Sequence, residues 1–338
     1  MLSGVSAQTD TWAPLVDKFG RRHSYLRVSL TDRCNFRCVY CMPADGVDVK
    51  PKDEILSFEE IVRLTKVFAR LGVDKVRLTG GEPTVRKGLD GLMSDLSAIP
   101  GIERILMTTN GSTLSTHAQI YRDAGLNGLN ISIDSLRPDR FAEITRGADL
   151  AKVMAGIERA LDTGYDSIKI NVVLMAGVNE DELCDFVQFA VDRKTHVRFI
   201  EFMPFVGNGW DKGGVVPYRQ MRATIEEKFK LVPIEVEKSA VAKEFTVAGT
   251  GGSIGFVTSV TDDFCGGCNR IRLTAEGQIK TCLFLLAGTS LRDMVRSGAS
   301  DDELAVAIRA ALMTKWAGHP PMERLIGLDD RAMVQIGG

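Results

Sequence analysis

Six of the seven cysteines in this 338-residue chain fall into two sets of three: Cys34, Cys38 and Cys41, then Cys265, Cys268 and Cys282. Cys184 stands apart beside Leu183, Phe186, Val187 and Ala190, and reads as a core residue of a helix,. Thiolates so closely spaced can hold a metal ion or an iron–sulfur cluster. An odd count in a long chain does not suggest a disulfide framework. A structural zinc site wants four ligands, where each set supplies three. An iron–sulfur cube also takes four as a rule, and three leave one iron open to bind a ligand. On residue types alone, zinc and a cluster both stand for the first set. For the second, Cys184 and His319 are distant candidates for a fourth zinc ligand.

Such sets need a scaffold, and the composition allows a large one. Hydrophobic residues make up 44% and charged residues 25%, ordinary values for a folded chain,. Lys plus Arg number 42 against 44 Asp plus Glu, a net charge of -2 that makes no global case for a nucleic-acid or membrane partner,. The first twenty residues carry Asp10, Trp12, Pro14 and Asp17 and lack the apolar stretch of an export signal,. A cytoplasmic protein is expected.

Residues 1–22 read as a mobile extension. Strands are expected at 22–30, 75–79, 104–109, 129–133, 167–174 and 196–203,. Helices are expected at 57–71, 89–97, 115–124 and 180–193, with helical turns up to 161. Ser57 is an N-cap, Glu60 takes the capping-box position and Gly72 follows the end,. Six strand–helix units predict a parallel sheet with right-handed crossovers. The expected fold is α/β: a partial six-stranded (βα)6 TIM-like barrel over residues 23–205. Past Phe205, Gly207, Gly209, Gly213 and Gly214 mark a linker. A helix at 218–230, short strands at 232–236 and 254–257, and a helix at 301–313 then make a smaller C-terminal α+β domain, 206–338, carrying the second cysteine set.

Side chains alternate across a strand. Leu26, Val28 and Leu30 share one face, as do Val76 and Leu78, and Ile168, Ile170 and Val172. With those faces against helices, Arg27, Arg77 and Lys169 point into the lumen, where an ordinary barrel keeps branched apolar residues. Buried cations are costly unless neutralised. An anionic ligand is expected there; pairing with Asp or Glu at the rim is the alternative.

The segment Cys34-Asn-Phe-Arg-Cys38-Val-Tyr-Cys41, at the carboxyl end of the first strand, resembles the radical S-adenosylmethionine (SAM) superfamily. The resemblance implies a [4Fe-4S] cluster whose open iron SAM chelates, and whose electron cleaves SAM to a 5'-deoxyadenosyl radical. It sets Tyr40 by the adenine and reads Gly80, Gly81 and Glu82 of Gly80-Gly81-Glu82-Pro83 as holding the SAM amino group. Ser132 and Met203 match SAM-contacting positions, and Thr108 a substrate-contacting one. Cys265-Gly-Gly-Cys268 with Cys282, Asn269-Arg270-Ile271-Arg272 and Gly337-Gly338 narrow the resemblance to the GTP 3',8-cyclases of molybdenum cofactor biosynthesis, over residues 22–338. That implies a second [4Fe-4S] cluster, with GTP between the two. Arg27, Arg77, Lys169, Arg270 and Arg272 would meet the triphosphate, helped by Thr108 and the backbone around Ile271. Loss of the ribose 3' hydrogen would let that carbon close on guanine C8. The Gly337-Gly338 tail would thread into the site. Implied partners are a reductase, flavodoxin or ferredoxin as electron donor, the downstream cyclic pyranopterin monophosphate synthase, and a second copy in a homodimer. Two rival readings remain. One is a peptide maturase with an auxiliary cluster, which tends to carry more C-terminal cysteines. The other is a non-catalytic iron–sulfur sensor or electron carrier, which needs no cation-lined lumen.

Overall fold

Runs with an apolar residue at every second position form strands here, and amphipathic runs between them form helices that cover one face of the sheet. A computed structural model describes residues 11–262, 264–326 and 331–337. The order is β1 (Tyr25–Ser29), α1 (Phe58–Arg70), β2 (Lys75–Thr79), α2 (Leu89–Ser97), β3 (Arg104–Thr109), α3 (Leu114–Asp123), β4 (Gly128–Ser132), α4 (Pro138–Thr145), α5 (Leu150–Thr163), β5 (Ser167–Leu174), α6 (Leu183–Asp192) and β6 (His196–Glu201). There follow α7 (Tyr218–Glu226), β7 (Leu231–Pro233), β8 (Lys243–Val247), β9 (Ser253–Val257), β10 (Arg270–Leu273), β11 (Ile279–Lys280), α8 (Leu291–Arg296), α9 (Asp301–Met313) and α10 (Met333–Ile336). Ser57 and Glu60 cap α1 reciprocally, as expected,.

Strands β1 to β6 pair in parallel and in chain order. The sheet continues on both sides. β9 joins β6 in parallel and β10 joins β1 in parallel, which makes eight parallel strands. Antiparallel β8 and β7 finish one edge and β11 the other. The expected count of six is therefore too small. Among the described residues of 206–338 no separate sheet forms; their strands extend the first sheet at both edges. The cause is non-local pairing: the four residues of β10 carry no sign that their partner is β1, far earlier in the chain. The backbone N–H of Tyr25 also donates to the carbonyl of Asn269 at 3.2 Å, tying the start of β1 to the residue after Cys268.

Leu26, Val28, Val76, Leu78, Ile131 and Ile170 are buried in one apolar core with the helices, on the face the alternation predicts. Tyr25, Arg27, Lys75 and Arg77 turn to the opposite face. Among the described residues no helix is long and apolar enough to cross a membrane.

Residues 11–22 are not the mobile extension expected; residues 1–10 lie outside the described part. Leu15 is fully buried, and its N–H donates to the carbonyl of Leu71 at 3.0 Å. The buried Asp17 accepts from Arg21 Nε at 2.6 Å and lies 3.1 Å from His23 Nε2. Leu15 sits in a stretch of mixed polarity with no clear period, so its packing was invisible in the sequence. Leu15→Ala should cost about 2–5 kcal/mol in denaturant unfolding, through lost burial and a cavity. Burial holds the His23 imidazole down at about 4, against an ordinary 6.5. The fold thus favours neutral His23, while the unfolded chain takes up a proton first. This contribution is intact above pH 6.5 and lost progressively as pH falls towards 4,. Unfolding midpoints measured across that range should fall less steeply for His23→Gln than for the parent.

Candidate active site

All six clustered cysteines line one cavity of about 630 Å³ on the open face of the sheet. Every cysteine of the described chain is a free thiol. Cys34, Cys38 and Cys41 occupy the loop after β1, at the carboxyl end of the parallel strands, where α/β sheets carry their sites,. Among the described residues no three His, Cys, Asp or Glu side chains converge as one metal ion would require. Burial pushes the Cys34 thiol up to about 11 and Cys41 up to about 12, and raises Cys38 well above its ordinary range. The carboxylate of Asp134 and the neighbouring thiols raise Cys38 further.

The loop after β2 is locked onto this cysteine loop by backbone. Gly81 N–H donates to Thr31 O at 2.6 Å and Glu82 N–H to Arg33 O at 2.8 Å. A side chain at Gly81 would sit 2.2 Å from the carbonyl oxygen of Arg33, so only glycine permits this approach,. Glu82 is buried and accepts from Thr109 Oγ1 at 2.7 Å and Asn110 N–H at 2.7 Å. Burial raises its carboxyl, although the hydrogen bonds oppose that shift. Tyr40 donates its hydroxyl to Asp134 Oδ2 at 2.8 Å, and Val173 N–H donates to Asp134 Oδ1 at 2.8 Å. Burial brings Asp134 up to about 6. Gly80, Ser132 and Met203 line the same end of the cavity.

The middle of the cavity is cationic. Arg27, Arg77 and Lys169 line it, as the alternation predicts, and so do Arg270 and Arg272, which only the resemblance had brought to the site. Lys75, Arg104 and Arg198 line it too. Arg77 donates from Nε to the Tyr25 hydroxyl and from Nη1 to the carbonyl of Met107 at 3.1 Å; Thr108 Oγ1 lies 3.4 Å from the same Nη1. Arg198 donates to Asn171 Oδ1 at 2.7 Å. Burial and the neighbouring arginine bring both Arg198 and Arg272 down to about 10. Burial also lowers Lys169, with Arg198 adding to it. Burial would raise the Tyr25 phenol, yet the charges of Arg77, Arg27 and Lys75 outweigh it and bring it to about 8. For Lys169 the rim-pairing alternative holds: Glu244 lies 3.4 Å away and also meets His196 at 2.7 Å.

The second triad closes the other end. Burial would raise Cys268, but Arg270 and Lys315 outweigh it and hold this thiol at about 6. Below it, Arg21 donates to the carbonyls of Cys265 at 2.8 Å and Ala317 at 2.7 Å. Ile271 turns its side chain into the core, so only its backbone can face a ligand. Gly337 is seated between β1, β2 and β10: its carbonyl accepts from Arg272 Nη1 at 3.0 Å, and a Cβ there would lie 2.7 Å from Ser29 Cβ. Gly338 lies outside the described residues.

Sequence reasoning missed several lining residues. Arg198 could have been found, since Val197 and Phe199 alternate around it and put it on the face of Arg77. Lys75 lies two residues before Arg77 and shares its face. Tyr25 and Asn171 share the faces of Arg27 and Lys169 by the same alternation,; Glu244 and Lys315 gave no signal, because their roles come from contacts distant in sequence.

The sequence pattern described as Radical SAM superfamily matches residues 28–190, and that described as Molybdenum Cofactor Synthesis C matches residues 195–321. A mitochondrial GTP 3',8-cyclase of Arabidopsis thaliana is 46% identical, over 96% of this chain and 83% of that protein. A GTP 3',8-cyclase of Syntrophomonas wolfei is 43% identical, over 96% of this chain and 100% of that protein. Molybdenum cofactor biosynthesis protein 1 of Mus musculus is 45% identical, and this chain spans 51% of its length. Among solved structures, Streptococcus suis SuiB bound to S-adenosylmethionine matches the fold with a TM-score of 0.58 at 14% identity, covering 87% of this chain and 69% of that one.

Gly81→Ala should push the cysteine loop away from Glu82, at a cost of about 1–3 kcal/mol. Iron content per chain in anaerobically prepared protein should fall towards half of the parent value, with the second triad still loaded.

Proposed function

The chain belongs to the radical SAM proteins of molybdenum cofactor synthesis, the family of the GTP 3',8-cyclases, and from that premise we propose that it converts GTP to (8S)-3',8-cyclo-7,8-dihydroguanosine 5'-triphosphate, the first step of that pathway. One observation carries the reading: both cysteine triads line a single cavity, and the cations stand between them. We read the wrapped sheet as a partial barrel, with residues 206–338 bringing the second triad to its mouth.

The residues fit the groups that this chemistry needs. Cys34, Cys38 and Cys41 would hold one [4Fe-4S] cluster, and Cys265, Cys268 and Cys282 the other. Three thiols apiece leave one iron of each cube for a ligand. When bound, the first cluster and SAM together supply the electron and the 5'-deoxyadenosyl radical. All else falls to the chain. Glu82, fixed by Thr109 and Asn110, faces the amino group of SAM, with the backbone of Gly80 and Gly81 beside it. Tyr40, Ser132 and Met203 flank the nucleoside. Arg27, Arg77, Lys169, Arg270 and Arg272 receive the triphosphate, and guanidinium forks suit its oxygens. Thr108 and the Ile271 backbone add hydrogen bonds. Arg198 joins this set, on the same face. Gly337 narrows the floor, so the ribose is held and water is kept out.

An external reductase, flavodoxin or ferredoxin as electron source, hand-off to cyclic pyranopterin monophosphate synthase, a homodimer and a cytoplasmic location belong to the same reading.

Anaerobic incubation with SAM, dithionite and GTP should yield the cyclised nucleotide and deoxyadenosine together. Deoxyadenosine formed with no dependence on GTP would favour another radical SAM enzyme, and no cleavage of SAM would favour a sensor. Cys41→Ala should abolish SAM cleavage. Arg77→Ala or Lys169→Ala should weaken GTP binding at least tenfold, about 1.4 kcal/mol, while SAM cleavage persists. Unchanged nucleotide affinity in both would remove the cations from the reading.

A further inference from the structure

The second triad is split in the chain. Cys265 and Cys268 share one loop, and Cys282 follows β11. Lys315, just beyond α9, reaches both halves. It is 3% exposed. Its Nζ donates to the carbonyl of Arg270 at 3.1 Å and to the carbonyl of Thr281. Those carbonyls lie two residues after Cys268 and one before Cys282. The ammonium also stands against the Cys268 thiol. Arg270 bears on the same thiol, and Arg21, a further cation under this triad, is held by Asp17 at 2.6 Å. Lys315 therefore brings a positive charge, fixed by two carbonyls, to the triad in a buried place where charge acts strongly,.

We propose that Lys315 is a positioning residue that ties the two halves of the second triad together and sets the reduction potential of the cluster held there. This rests on reading the triad as a cluster site. A cube with three thiolates gains negative charge on reduction. A fixed cation stabilises the reduced form more than the oxidised one and so raises the potential.

The test is a reductive titration followed by electron paramagnetic resonance, on the full chain with Cys34, Cys38 and Cys41 all changed to alanine, so that only the second cluster reports. Lys315→Gln keeps a donor but loses the charge, Lys315→Arg keeps the charge, and Lys315→Met loses both. The Gln and Met variants should show a more negative midpoint potential, and Arg should stay near the parent. Iron and sulfide per chain should fall most in Met. If Met fails to load, the comparison of Gln with Arg still decides. Loaded Gln and Arg variants that share the parent potential would overturn the assignment of Lys315 alone. A parent chain that binds no four-iron cluster at this triad would overturn the cluster reading and the assignment with it.

Discussion

Like charges crowded into one cavity repel, and the fold holds them there regardless. Arg77, Arg198 and Arg272 are buried in the same cavity, on strands whose opposite faces are pinned by the apolar core. Their N–H groups are met by neutral partners: the Tyr25 hydroxyl, the Met107 carbonyl, the Asn171 amide and the Gly337 carbonyl. Such partners satisfy hydrogen bonds without cancelling charge. Glu244 offsets Lys169. Burial first, and the neighbouring arginines after it, lower the proton affinity of Arg198 and Arg272. A polyanion that enters relieves a repulsion the protein already carries, and the sheet spends packing energy to keep the cations waiting.

The two thiol sets live in opposite fields. Burial keeps the first set protonated, with Asp134 adding to the effect at Cys38. In the second, cations overcome burial and favour the Cys268 thiolate. Metal binding must displace the thiol protons, so the first set gives up more on loading than Cys268 does. Identical ligands thus sit in sites of different character, and the difference comes from residues outside the cysteine motifs.

Much of this was legible from local pattern. The alternation around Arg27 and Arg77 placed both in the cavity, because a strand with one apolar face has no choice about the other. Gly80-Gly81-Glu82 was legible as a special loop, though not why: the reason is the carbonyl of Arg33, which leaves no room for a Cβ. The places of β9 and β10 in the sheet were not legible. Four or five residues encode a strand, but not which strand they will meet. Leu15, Lys315 and Arg21 were hidden for the same reason, since each acts on a partner that the chain brings near only after folding. Arg198 was legible but overlooked, since the parity that exposed its neighbours was not extended to the last strand.

Strand β1 bridges both metal-binding ends. Its first residue is bonded to the backbone beside Cys268, and its last leads into the loop of Cys34. Five residues at about 3.3 Å each make a rigid spacer of roughly 16 Å, which acts as a ruler. The separation of the two strand ends is thereby dictated by peptide geometry. Losing one residue from this spacer would shorten the gap and also throw every following side chain to the wrong face.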